Sequence, residues 1–124
     1  MLKQITVLKR KPGMSMAEFI DYYENHHSKL GERFLRRAKR YQRRYVQPEV
    51  NPVTGQVVEL DFDVVMELWW ENRADFEASM AEIKGETLRL MVEDEERLFA
   101  SHDHRTFTVE EHETDMDAVR ATPA

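Results

Sequence analysis

The segment LDFDVVMELWW (Leu60–Trp70) limits what this chain can fold into more than any other. Side chains of a β-strand point alternately to opposite faces. Phe62, Val64, Met66, Leu68 and Trp70 therefore share one face, and Asp63, Val65, Glu67 and Trp69 share the other. The first face is wholly apolar and needs a layer packed on it. The second, apolar with two carboxylates in it, is also too hydrophobic to stand in open water. A sheet built on this strand needs cover on both sides. A chain of 124 residues, one domain by its length, carries enough helix for only one.

The flanking periodicities set the order β, α, β, β, α, β. LKQITVLKRK (Leu2–Lys11) reads as a first strand rich in β-branched residues. Pro12 and Gly13 break it, and Ser15 followed by Glu18 is a capping-box pattern that opens helix one, expected from Met16 to Ala38. Along it Phe19, Ile20, Tyr23, Leu30, Phe34 and Leu35 recur at three- and four-residue spacing, with Gly31 the expected weak point. RYQRRYVQ (Arg40–Gln47) alternates as a second strand, and PEVNPVTGQ (Pro48–Gln56) is a loop. Asn72 caps a helix carrying Phe76, Met80 and Ile83. GETLRLMVEDEERLF (Gly85–Phe99) continues with Leu88, Met91, Val92, Glu95, Leu98 and Phe99 on its stripe. HRTFTVEEHE (His104–Glu113) closes as a fourth strand, so the domain spans residues 1–113. The polar tail, 114–124, is expected to be disordered or loosely docked.

This order predicts an α+β fold, a ferredoxin-like βαββαβ unit whose four-stranded antiparallel sheet carries helices on one face. Two copies packing sheet to sheet would bury the other face, so a homodimer is expected.

Charge is distributed unevenly: residues 1–44 hold 12 Lys and Arg against 4 Asp and Glu, whereas the remainder is acidic, for a net −6. RFLRRAKRYQRRY (Arg33–Tyr45) resembles a nucleic-acid patch, but the acidic remainder repels phosphate, and a basic run is ordinarily solvated surface. We expect no nucleic-acid partner; basic residues at a pocket mouth would instead favour an anionic small molecule. No apolar run approaches the ~18 residues of a membrane span, and Lys3, Lys9, Arg10 and Lys11 interrupt the N-terminus, so neither membrane nor signal peptide is expected. The absence of cysteine removes disulfides and thiolate chemistry, and a cytoplasmic location is the default. No glycine-rich phosphate loop or dinucleotide fingerprint points to a cofactor.

DYYENHHSKL (Asp21–Leu30) concentrates the chemistry. His27 follows Tyr23 by four residues on the apolar stripe of helix one. A buried imidazole there is either a structural group bonded to a carbonyl or carboxylate, or an acid–base centre at the inner end of a pocket. His26 points about 100° away, with Tyr22 and Phe19. Tyr41, Arg43 and Tyr45 share one strand face; turned inward, Arg43 would hold a carboxylate or phenolate and the tyrosines an oxyanion. Glu67 beside Trp69 is a candidate base with a raised pKa, or else a group that orients a histidine or pairs with Arg43. His102 and His104 have the spacing of a metal pair, but no third ligand is spaced for them, so they are expected to be solvated loop residues and no metal is expected. Asp94 and Glu95 read as capping or pairing groups, and His112 as surface.

KRKPGMSMAEFIDYYENHHSKL resembles the opening signature of the EthD family, in which a basic strand end and KPGMS precede a helix bearing Phe, an aromatic pair and a His eight residues after that Phe. Phe19, Tyr22, Tyr23 and His27 fill those places. RADFEASM, EDEERLF and FTVEEHE resemble the family's second helix and last strand. The chain departs from the common pattern with Lys29 where a Pro often stands. The resemblance implies a dimeric α+β barrel, a superfamily of cofactor-free monooxygenases, muconolactone isomerases and polyketide cyclases. In methylmuconolactone isomerase-like relatives the helix histidine falls nearer His26. The expectation is a cofactor-independent enzyme acting on a phenolic, polyketide or lactone by decarboxylation, isomerisation or dehydration. His27 would shuttle the proton, aided by His26 or Tyr23, with Tyr22, Tyr41, Arg43, Tyr45, Glu67 and Trp69 around the substrate. The alternatives are a cofactor-free monooxygenase and a non-catalytic ligand-binding protein serving an oxygenase.

Overall fold

The apolar strand takes an inner place. In the computed structural model, which describes residues 1–124, β3 (Val64–Trp70) lies antiparallel between β1 (Leu2–Leu8) and β2 (Arg40–Tyr45). β4 (Arg105–Thr108) adds outside β1, for the order β2-β3-β1-β4. Leu8 faces Val64 across one pair and Tyr41 faces Leu68 across the other. α1 (Met16–Tyr22), α2 (Ser28–Phe34), α3 (Arg73–Glu82) and α4 (Gly85–Leu98) follow in the predicted order. This is the expected α+β, ferredoxin-like arrangement, and no helix is long and apolar enough to cross a membrane.

Helices cover the face that carries Val64, Leu68 and Trp70, all buried. Leu8, Phe19, Tyr23, Val64, Leu98 and Phe99 form the core cluster. The opposite face presents Ile5, Val7, Val65, Trp69 and Phe107 with no layer of this chain over it; Phe107 is 46% exposed.

The elements are shorter than their periodicities. The first strand ends at Leu8 because Arg10 pairs with Phe99, while the Ala100 N–H donates to the Lys9 carbonyl at 2.9 Å. β1's continuation thus ties down the end of α4 instead of extending the sheet. Leu88, expected on the inner stripe of α4, is exposed, and Asp94 is buried in the position a hydrophobic residue would take. The tail holds a short exposed helix, α5 (Met116–Ala121), capped by the Asp115 carboxylate.

Helix one is interrupted, but not at Gly31. Tyr23–His27 form a π-helical turn, in which the Ser28 N–H reaches back five residues to the Tyr23 carbonyl and the Ser28 hydroxyl donates to the Glu24 carbonyl at 2.8 Å. The cause is visible in retrospect. Phe19, Tyr23, His27, Gly31 and Leu35 stand at a strict spacing of four, which in an α-helix of 3.6 residues per turn would rotate away from the sheet by about 40° at each step. A wider turn absorbs that drift.

Gly31 has a different task. A Cβ there would lie 2.6 Å from the Tyr41 ring, so the glycine lets β2's tyrosine pack directly on the helix backbone. Gly31→Ala gains up to ~1 kcal/mol in helix propensity and loses ~1–3 kcal/mol to overpacking. The expected net result in a denaturant titration is a less stable protein whose Tyr41 ring resonances have moved.

Candidate functional site

Between the helices and the sheet lies a cavity of about 220 Å³. Leu30, Leu35, Met66, Leu68, Met80 and Met91 are among the apolar side chains of its wall. An apolar cavity of ~150 Å³ takes benzene, so this one accommodates a substituted aromatic ring. Five side chains bring chemistry to its wall: Tyr23, His27, Tyr41, Glu95 and His104.

His27 comes from the π turn, where the helical phase sends it inward and leaves His26 exposed, stacked on Tyr22 at 4.8 Å between ring centroids. The His27 side chain is 12% exposed, and its Nδ1 stands 2.8 Å from Asp94 Oδ2. A carboxylate on Nδ1 fixes the ring's orientation and favours the proton on that nitrogen, which leaves Nε2 free to act. The buried Asp94 also accepts the Tyr22 hydroxyl and lies 3.6 Å from Arg97. Burial, and then this bond to Asp94, push the Tyr22 phenol up. Tyr22 thus supports the His27–Asp94 pair from behind and does not line the cavity.

The two phenols that do line it are locked neutral. Burial pushes Tyr41 up to about 12 and Tyr23 well above its ordinary value. Both can donate a hydrogen bond and neither can serve as a base near neutral pH.

A second imidazole–carboxylate pair stands alongside. Glu95 follows Asp94 on α4, about 100° round the helix, and accepts from His102 Nδ1 at 2.9 Å. His104 Nε2 lies 3.3 Å from the same Glu95 oxygen, out of line for a hydrogen bond, and has no other partner although that nitrogen is buried. Burial pushes the Glu95 carboxyl up, yet the His104 and His102 imidazoles hold it below the usual carboxylate range. Sequence reasoning placed His104 in a solvated loop and Glu95 and Asp94 among pairing groups. The one available signal was the position of Glu95 on an otherwise apolar stripe.

The remaining expected site residues go elsewhere. Arg43 leaves the β2 face toward the helices but is gripped by Glu24, with Nε 2.8 Å and Nη2 2.7 Å from its two oxygens. Tyr45 donates to the same carboxylate. Neither lines the cavity. Glu67 and Trp69 lie on the open face of the sheet, where Glu67 accepts from the Trp69 indole at 2.9 Å and from Arg44 at 3.3 Å. The expectation of a raised Glu67 pKa is corrected: burial pushes it up, but the indole N–H and Arg44 outweigh that and hold it low. Arg43 does not pair with Glu67, because strand alternation puts Arg44 on Glu67's face instead. No group of three or more His, Asp or Glu side chains is arranged as metal ligands would be.

Comparison with known proteins gives a family model, the EthD domain, matched over residues 11–103. No curated protein sequence matches. Among solved structures, the chain is similar to an EthD family protein from Bacillus halodurans, with TM-score 0.59 and 16% identity over 90% of this chain and 100% of that one. It is also similar to HapK from Hahella chejuensis, with TM-score 0.58 and 13% identity over 92% and 95%. A hydroxynitrile lyase from Passiflora edulis gives TM-score 0.53 and 16% identity over 91% and 94%. At these identities the structures share the fold.

The Glu24 clamp makes a prediction about acid stability. The Arg43 guanidinium holds the Glu24 carboxyl at about 2, against an ordinary 4.5. An acid with a depressed folded pKa contributes stability that is whole above its free pKa and drains as pH falls toward the folded value. Acid titration of the wild type should therefore show a loss between about pH 4.5 and 2 that Glu24→Gln flattens, with the variant less stable at neutral pH.

Proposed function

The chain belongs to the EthD family, and from that premise we propose that it is a cofactor-independent acid–base enzyme for a hydrophobic, oxygenated small molecule. The substrate is of the phenolic, polyketide or lactone type, and the reaction a decarboxylation, isomerisation or dehydration. One observation carries this reading: an imidazole backed by a buried carboxylate, His27 on Asp94 at 2.8 Å, at the wall of a mainly apolar cavity. An imidazole tied down only for packing would not require a chamber beside it.

In this reading the apolar wall binds the body of the substrate and excludes water. His27 Nε2 takes a proton, Asp94 stabilises the imidazolium that forms, and Tyr22 and Arg97 keep Asp94 in place. The Tyr23 and Tyr41 phenols, held neutral, donate to the oxygen on which negative charge develops. A positioned acid–base group of this kind contributes ~10²–10⁴-fold. The Passiflora neighbour, a hydroxynitrile lyase by name, is one instance of lyase chemistry on a related fold.

The assembly follows from the open sheet face. Ile5, Val7, Val65, Trp69 and Phe107 are contiguous there, ringed by Lys3 and Arg40, which sit over the Trp69 indole at 3.9 and 4.8 Å, and by Glu67 and Arg44. A self-complementary pairing of this face in a homodimer gives the cover that no helix of the chain supplies. Stable pairs of this kind bury roughly 800 Å² per partner.

Two measurements check these points. With 2-tetralone, a small aromatic ketone with acidic α-protons, the protein should accelerate deuterium uptake from heavy water, and His27→Gln should cut that rate ~10²-fold or more while the ketone still binds; an unchanged rate ends the reading. In sedimentation the chain should behave as a dimer of its 14.8 kDa protomer, and Phe107→Glu should yield a folded monomer.

A further inference from the structure

We propose that His104, backed by Glu95, is a second proton-handling group of the same cavity, and that the substrate is therefore an enolisable carbonyl compound whose α-carbon faces His27 and whose carbonyl oxygen faces His104. The inference rests on the acid–base reading of His27 and extends it to a residue outside the first pair.

Three observations support it. His104 Nε2 is buried 3.3 Å from a Glu95 carboxylate oxygen, as His27 Nδ1 is held at 2.8 Å by Asp94, so each ring has one nitrogen committed to a carboxylate. In each ring the other nitrogen is the one left for a ligand in the cavity that both rings line. Second, His27 and His104 both meet the Phe99 ring edge-on, at 5.2 and 5.0 Å between centroids, and both line the cavity. They line one space and share a contact with the same aromatic ring. Third, consecutive carboxylates of α4 serve the two rings separately, Asp94 behind His27 and Glu95 beside His104, and Glu95 is anchored from outside by His102.

The step these groups perform is balanced without a co-reactant. The α-C–H bond breaks and its proton passes to neutral His27. The released pair forms the C=C bond, and the carbonyl π pair moves onto oxygen, which takes a proton from the His104 imidazolium. One imidazolium is spent and one is made, so net charge in the cavity does not change, and each cation stays beside its own carboxylate. The enol then returns its O–H proton to His104 as the carbonyl re-forms, and the proton held on His27 goes either to the γ-carbon of a substrate with a conjugated C=C or to a departing β-hydroxyl that leaves as water, which covers isomerisation and dehydration. Decarboxylation would need only one donor.

The probe is again 2-tetralone, followed by imidazole nitrogen resonances and by deuterium uptake. The resonances of both His27 and His104 should move together as the ketone is added to the wild type. His104→Gln should slow uptake ~10²-fold with ketone binding little altered, and Glu95→Gln should slow it less. If His27 resonances move while those of His104 do not, or if His104→Gln exchanges at the wild-type rate, this proposal is overturned and the reading of His27 stands. If both rings respond to the ketone but the wild type accelerates no exchange, the acid–base reading fails and this one with it.

Discussion

Four rings converge edge-on upon Phe99: Phe19, Tyr23, His27 and His104, at 6.0, 5.8, 5.2 and 5.0 Å between centroids. Contacts of this geometry contribute about 0.5–1.5 kcal/mol each beyond the area they bury. Their joint effect here is to fix positions. Phe99 is the residue at which α4 ends and pairs with Arg10, so it is held by backbone bonds from β1's continuation. The helix carrying His27 and the segment carrying His104 are both placed by reference to it. Remove that ring and the two imidazoles lose the surface that sets their separation.

The carboxylates that enter this apolar interior do so in company. Asp94 and Glu95 occupy adjacent positions of α4, where a purely structural helix would put hydrophobic residues, and each is matched by an imidazole. Tyr22, Arg97 and His102 satisfy the carboxylates from behind. An unpaired buried carboxylate would be costly, so the pairs are coupled to the fold as well as to any chemistry. The Glu24, Arg43 and Tyr45 cluster follows the same rule without reaching the cavity, and locks β2 to the π turn. The interior therefore holds two polar assemblies, one turned toward the chamber and one closed on itself.

Much of this was legible in the order of the residues. Alternation in Leu60–Trp70 gave the faces of β3 correctly, and Ser15 with Glu18 forms the expected capping box. The phase of Tyr23 and His27 separated the inward histidine from His26. What could not be read was which partner a long charged side chain chooses. Arg43 lies on the anticipated face yet turns to Glu24, because a guanidinium on a flexible stem finds the nearest carboxylate in space, and Glu24 is nineteen residues away in sequence. His104 looked like part of a polar loop, since its cover comes from Phe99 and Glu95 on another element.

By itself the sequence determined the strand and helix order, the two-faced character of β3 and the inward phase of His27, because these rest on local periodicity. The tertiary structure alone decided that Asp94 meets His27, that Gly31 clears room for Tyr41, and that His104 lines the same cavity beside Glu95. Those are contacts between segments remote in the chain. Their geometry depends on a π turn and on the point where α4 stops, and a repeat of hydrophobic residues specifies such details only after the layers have packed.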